Sequence, residues 1–158
     1  MRKRLISPTP QSAEPSVRDQ SLDLSNAALA EVTSEERDYP VESALVSGQS
    51  RGWRAAKPGT QTIRLIFDQP QKLKRISLVF EERETKRTQE FVLRWHPDGV
   101  SAFQEIVRQQ WNFSPPHTTT EVEEYGVELS DVAVLELIIT PDIGGGIARA
   151  SLNSLVLS

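Results

Sequence analysis

From Thr62 onward the chain repeatedly places apolar residues at every second position, and no stretch after residue 40 carries the three-to-four spacing of an amphipathic helix. In "TIRLIFD" Ile63, Leu65 and Phe67 share one face, and in "KLKRISLVF" Ile76, Leu78 and Phe80 do the same. Successive side chains of a strand point to opposite faces, so each set defines one buried side. The intervening "QPQK" reads as a proline turn between two antiparallel strands. "QEFVLRW" aligns Phe91, Leu93 and Trp95, and "HPDGV" then supplies Asp98 and Gly99 for a hairpin reversal. In "FQEIVRQQWNF", expected to start a strand near Phe103, the phase slips between Phe103 with Ile106 and Val107 with Trp111 and Phe113, as a bulge requires. "TTTEVEEYGVEL", "VAVLELIIT" and "ASLNSLVL" add further β segments around "SPPH" and "PDIGGG" loops. About eight short strands predict an all-β antiparallel sandwich or jelly roll.

A length of 158 residues suits one such domain. Residues 1–28 are rich in Ser, Pro, Gln and charge, with isolated leucines that cannot offset the entropy of ordering, so this segment is expected to be a flexible tail and 29–158 the domain. "NAALAEV" is compatible with a short helix or a first strand. The formal charge of −4 argues against a nucleic-acid partner, which calls for a strongly basic face. The absence of cysteine excludes disulfides, thiolate metal sites and thiol nucleophiles. No stretch is apolar enough to span a bilayer, and no apolar run follows "MRKRLISPTP", so a cytoplasmic location is the expectation.

The ordered set "YPVESAL", "GWRA", "TIRLIFDQPQKLKRISLVF", "EFVLRWHPDG" with "FQEIV", and "ARASLNSLVL" resembles the discoidin or coagulation factor 5/8 type C family, a galactose-binding-like β-sandwich. The resemblance runs from about Leu29 to Ser158. It implies a noncatalytic binding module whose ligand meets the loops at one end: sugars, phospholipid headgroups, or protein partners in intracellular members. His96 stands where the family places a serine in the Asp-Gly turn, so that serine's local hydrogen bond is not carried over. Many members hold calcium with an acidic loop residue before the tryptophan and a glutamate in the last strand. Here the loop reads Ser47, Gly48, Gln49, Ser50 and the strand Asn153, Ser154, so no cofactor is expected and the calcium site should be absent or weak.

On that template three loops form the ligand end: 34–43, 47–58, and the hairpin 81–87. They offer Tyr39 as a stacking ring and Arg51, Arg54, Lys57, Arg83, Lys86 and Arg87 as polar contacts. Arginine forks pair with carboxylate or phosphate, which suits an acidic glycan, a phosphorylated group or an acidic peptide, although Glu81, Glu82 and Glu84 offset the hairpin's charge. Carbohydrate binding is the leading expectation, with a protein-binding adaptor as the alternative. Trp53 is expected to plug the core beneath the loop rather than meet ligand, and Trp95 to point inward. Glu121 and Glu123, in "TEVEEYGVELSD", are read onto the solvent face, where charge discourages strand addition; a metal site or a glycosidase-like carboxylate pair is the other reading. His96 and His117 lack metal-ligand spacing, no Gly-x-Ser-x-Gly elbow occurs, and "GGG" at 144–146 lacks a phosphate loop's lysine.

Overall fold

The computed structural model describes residues 21–46 and 51–158. In chain order the elements are α1 (Leu24–Ala27), β1 (Ala28–Val32), α2 (Glu42–Leu45), β2 (Trp53–Pro58), β3 (Gln61–Glu81), β4 (Arg87–His96), β5 (Gln104–Phe113), β6 (Thr120–Thr140), β7 (Arg149–Leu152) and β8 (Ser154–Leu157). All strand pairings are antiparallel, in the order β1-β3-β6-β4-β5, with β8 on β3 and a separate β2-β7 pair. The fold is an all-β sandwich, as the alternation predicts.

Two strands build both layers. The first half of β3 lies between β1 and the second half of β6, while its second half lies between β8 and the first half of β6. The first layer presents Ile63, Leu65, Phe91, Leu93, Leu137 and Ile139 inward; the second presents Ile76, Leu78, Phe80, Leu155 and Leu157, all at most 2% exposed. Phe80 and Phe91 meet across the interior with ring centroids 5.2 Å apart. The β2-β7 pair contributes Trp53, Ala55, Ala150 and Leu152, all buried.

"QPQK" is therefore no turn. β3 runs on through Pro70 as one strand, and four of its residues, Phe67 to Pro70, fall between pairings that only one residue of β6 separates. That excess is a bulge, and it bends the strand from one layer into the other. Asp68, Gln69 and Pro70 are exposed there, where proline forfeits no ladder hydrogen bond. β6 likewise joins two expected segments into one.

The start of the fold also differs from expectation. Leu24 is buried in the core and the Leu22 amide donates to the Leu157 carbonyl at 2.8 Å, so residues 22–28 are tied to the sandwich and the expected 28/29 boundary falls inside it. "NAALAEV" is both of its readings in turn, α1 ending and β1 beginning. A single helical turn, α2, appears after residue 40, with Ala44 buried beneath it. The rest of the expected tail, 1–20, lies outside the described residues.

The β4–β5 hairpin and its bulge are where the sequence puts them. Pairing slips between Leu93 opposite Val107 and Arg94 opposite Glu105, which leaves Ile106 as the extra residue. His96 braces this turn itself: its Nδ1 accepts the Gly99 amide at 2.7 Å, with Gly99 at φ +79°. Asp98 accepts the amides of Ser101 and Val100 and the Ser101 hydroxyl, and these bonds hold its carboxyl down at about 2. Trp95 and Trp111 are half-buried against the core.

Candidate functional site

At the loop end of the sandwich a groove of about 630 Å³ is lined by Glu36 and Tyr39 after β1, Arg51, Trp53 and Arg54 around the start of β2, the hairpin Glu81 to Thr85, and Ile147 to Arg149 with Ser151 and Asn153. Its floor is fixed by Trp53, which is 1% exposed and donates its indole Nε1–H to the Ser34 carbonyl at 3.0 Å. The tryptophan is thus the plug the sequence predicts, placed beneath the ligand-sized space rather than projecting into it.

Tyr39, Arg51, Arg54 and Arg83 all line this groove. Tyr39 is not a bare stacking surface: the Arg54 guanidinium sits 4.4 Å from its ring centroid and covers one face. The loop carrying Tyr39 is anchored on β2 by the Glu36 amide to the Arg54 carbonyl (2.8 Å) and the Arg54 amide to the Tyr39 carbonyl (3.1 Å).

The other three expected residues lie elsewhere. Lys57 is exposed on β2 and does not line the groove, and Lys86 borders a different cleft with Thr88, Asn112 and Asp142. Arg87 is 4% exposed and forms part of the interior. Its Nε donates to Glu82 Oε1 at 2.6 Å, its Nη1 donates to the Pro141 carbonyl at 2.8 Å and Gln89 Oε1 at 3.1 Å, and its guanidinium lies 4.7 Å from the Phe113 ring centroid. Three of its five N–H donors are engaged inside the protein and its side chain is 1% exposed, so it holds the interior rather than lining the groove. Arg87 shares strand parity with Gln89, Phe91 and Leu93, and that parity was the available signal that it faces inward.

Two groove residues escaped the sequence reading. Arg149 donates from Nη1 to Glu36 Oε1 at 2.8 Å, with Arg54 4.0 Å from the same carboxylate, so one glutamate holds two arginines at the rim. The partners are 113 positions apart, beyond any local pattern. Arg83 pairs with Glu81 at 3.3 Å. Four arginines (51, 54, 83 and 149) thus face four glutamates (36, 81, 82 and 84), and the groove's formal charge is zero rather than basic. Burial pushes the Glu82 carboxyl up, but bonds from Arg87 and from the Glu84 and Thr85 amides outweigh it and hold it below its ordinary value.

The acidic strand requires a correction. Glu121 is 0% exposed and Val122 is 62% exposed, the reverse of the expected phase. β6 pairs Glu121, Glu123 and Tyr125 with Phe80, Leu78 and Ile76 of β3, whose side chains fill the core, and directly opposed residues share a face. Gln89 donates to Glu121 Oε1 at 3.1 Å. Burial, together with Glu123 beside it, pushes the Glu121 carboxyl up to about 9, and burial pushes the Tyr125 hydroxyl up to about 12. Among the described residues no three His, Cys, Asp or Glu side chains are grouped to hold a metal ion. The calcium expectation rests in part on residues 47–50, outside the described residues.

Solved structures share this architecture. A family 32 carbohydrate-binding module from Clostridium perfringens NanJ, in complex with galactose, superposes with a TM-score of 0.65 at 15% identity, over 87% of this chain and 96% of its own. The fold is the galactose-binding-like β-sandwich. A Clostridium perfringens family 32 module in complex with GalNAc-β-1,3-galactose gives 0.63 at 18% identity, covering 87% and 98% of the two chains. The family 32 module of AlyQ, in complex with 4,5-unsaturated mannuronic acid, gives 0.62 at 11% identity, covering 84% and 95%. Neither a family model nor a curated relative matches the sequence. Among the described residues no helix is long and apolar enough to cross a membrane.

Proposed function

We propose that this chain is a noncatalytic carbohydrate-binding module and that its sugar occupies the groove above Trp53. The reading rests chiefly on the groove itself: a concavity of about 630 Å³ lined by paired arginines and glutamates beside an aromatic ring, at the loop end of a fold whose solved relatives are described as sugar complexes. Alternating guanidinium donors and carboxylate acceptors match a sugar's hydroxyl groups, each of which donates one hydrogen bond and accepts others. The balance of four arginines against four glutamates favours a neutral sugar over the acidic ligand that the basic residues alone suggest. Arg54, Arg149 and Glu36 carry recognition, with Arg51 and Arg83 at the rim.

Isothermal titration with galactose, N-acetylgalactosamine and galacturonic acid tests this. Binding of a neutral sugar is expected, weakened about tenfold or more by Arg149→Ala with Arg54→Ala, the loss of about one charge-assisted hydrogen bond. No binding of any of the three at millimolar concentration, or full affinity in the double variant, refutes it.

A further inference from the structure

Among the described residues, the buried side-chain polar atoms without a hydrogen-bond partner are Trp111 Nε1, Glu121 Oε2, Glu123 Oε2 and Tyr125 OH. All four belong to one place. Glu121, Glu123 and Tyr125 alternate along the inner face of β6, Gln89 of β4 reaches Glu121, and Trp111 of β5 is paired with Gln89. The groups facing the pair are Arg87 and Gln89 from β4, Trp111 from β5, the apolar Ile76, Leu78 and Phe80 from β3, and Tyr125 from β6 itself. Arg87 is the one cation among them, and its Nε is committed to Glu82.

Two neighbouring carboxyl groups, each with a buried oxygen that no donor reaches, are not stable as two anions in such surroundings. One proton held by the pair leaves a single charge, as in other close carboxyl pairs.

This pair is joined to the groove by an unbroken chain of hydrogen bonds. Glu121 Oε1 accepts from Gln89 Nε2, Gln89 Oε1 accepts from Arg87 Nη1, Glu82 Oε1 accepts from Arg87 Nε, and Glu82 Oε2 accepts the amides of Glu84 and Thr85 at 3.1 and 3.2 Å. Glu84 and Thr85 line the groove. We propose that Glu121 and Glu123 share one proton at neutral pH and that its loss, passed through Gln89, Arg87 and Glu82, loosens the hairpin wall of the groove. A second interior negative charge draws the Arg87 guanidinium inward, weakens its bond to Glu82, and frees that carboxylate from the geometry in which it holds the two amides. The groove wall is thus firm at neutral pH and loosened in alkali, whether or not the groove takes a sugar.

The wild-type protein decides this directly. Its infrared spectrum at neutral pH should contain the carbonyl stretch of a buried protonated carboxylic acid, disappearing as pH rises, and the amide resonances of Glu84 and Thr85 should shift along that same titration curve. Glu121→Gln, which keeps the shape and removes the proton, should abolish both changes. A neutral-pH spectrum without a protonated carboxyl, or Glu84 and Thr85 amides that stay fixed while the carboxyl titrates, overturns the proposal even if the variant fails to fold.

Discussion

Replacing Arg87 with methionine keeps most of the side-chain stem and removes the guanidinium. Three hydrogen bonds vanish with it, to Glu82, Gln89 and the Pro141 carbonyl, together with the contact over Phe113. Removing one partner of a buried ion pair typically costs about 3–5 kcal/mol, because the remaining charge stays desolvated. Here that charge is Glu82, whose side chain is 19% exposed and keeps two amide donors, so the lower end of the range, about 3 kcal/mol, is expected. For a chain of this size that corresponds to a fall of roughly 6–12 °C in Tm. Urea unfolding followed by tryptophan fluorescence measures it, with Arg54→Ala as the contrast. Arg54 is 47% exposed and its pair with Glu36 spans 4.0 Å, so its loss should cost no more than about 1 kcal/mol. A cost below about 1 kcal/mol for Arg87→Met would refute the reasoning, since a guanidinium that can be removed so cheaply is not holding the interior.

Trp53→Ala should cost about 3–5 kcal/mol in the same urea experiment, because the ring is 1% exposed and its Nε1–H satisfies the Ser34 carbonyl; a cost under about 1 kcal/mol would mean the groove has no rigid floor. Gly52→Ala should lower Tm despite the small change, since a Cβ there would meet the Leu152 carbonyl oxygen at 2.6 Å on a backbone at φ +75°; an unchanged Tm would contradict that packing. The Glu121 carboxyl is raised in the folded protein, so the folded state keeps a proton that the unfolded chain releases above about 4.5. Stability should therefore fall as pH rises from there to about 9, and Glu121→Gln should flatten the decline in Tm measured across that window. A wild-type Tm that rises over the same interval would reverse the assignment.

The sequence is most legible where one periodic pattern governs one strand. Ile63, Leu65 and Phe67, Phe91 and Leu93, the Asp98–Gly99 reversal and the slip at Ile106 are local features, and each is where its spacing puts it. It misleads where two patterns compete. "EVEEY" alternates equally well in either phase, and the solvent preference of glutamate favoured the wrong one; Tyr125, Val127 and Leu129, on the same parity as Glu121, carried the contrary signal. Pro70 suggested a turn because proline commonly stands in one, but the neighbours on either side of β3 turn that stretch into a bulge within a continuous strand.

The alternation along the chain is enough to dictate an antiparallel sandwich, because period-two burial is a property of consecutive residues. Which charges stand together follows from the tertiary fold. It placed Arg87 against Glu82 in the interior and Arg149 against Glu36 at the rim, and it brought a neutral set of arginines and glutamates around one groove. Such pairings depend on which loops and strands come within a few ångströms of one another, and the distance between two charges in space is not written in their separation along the chain.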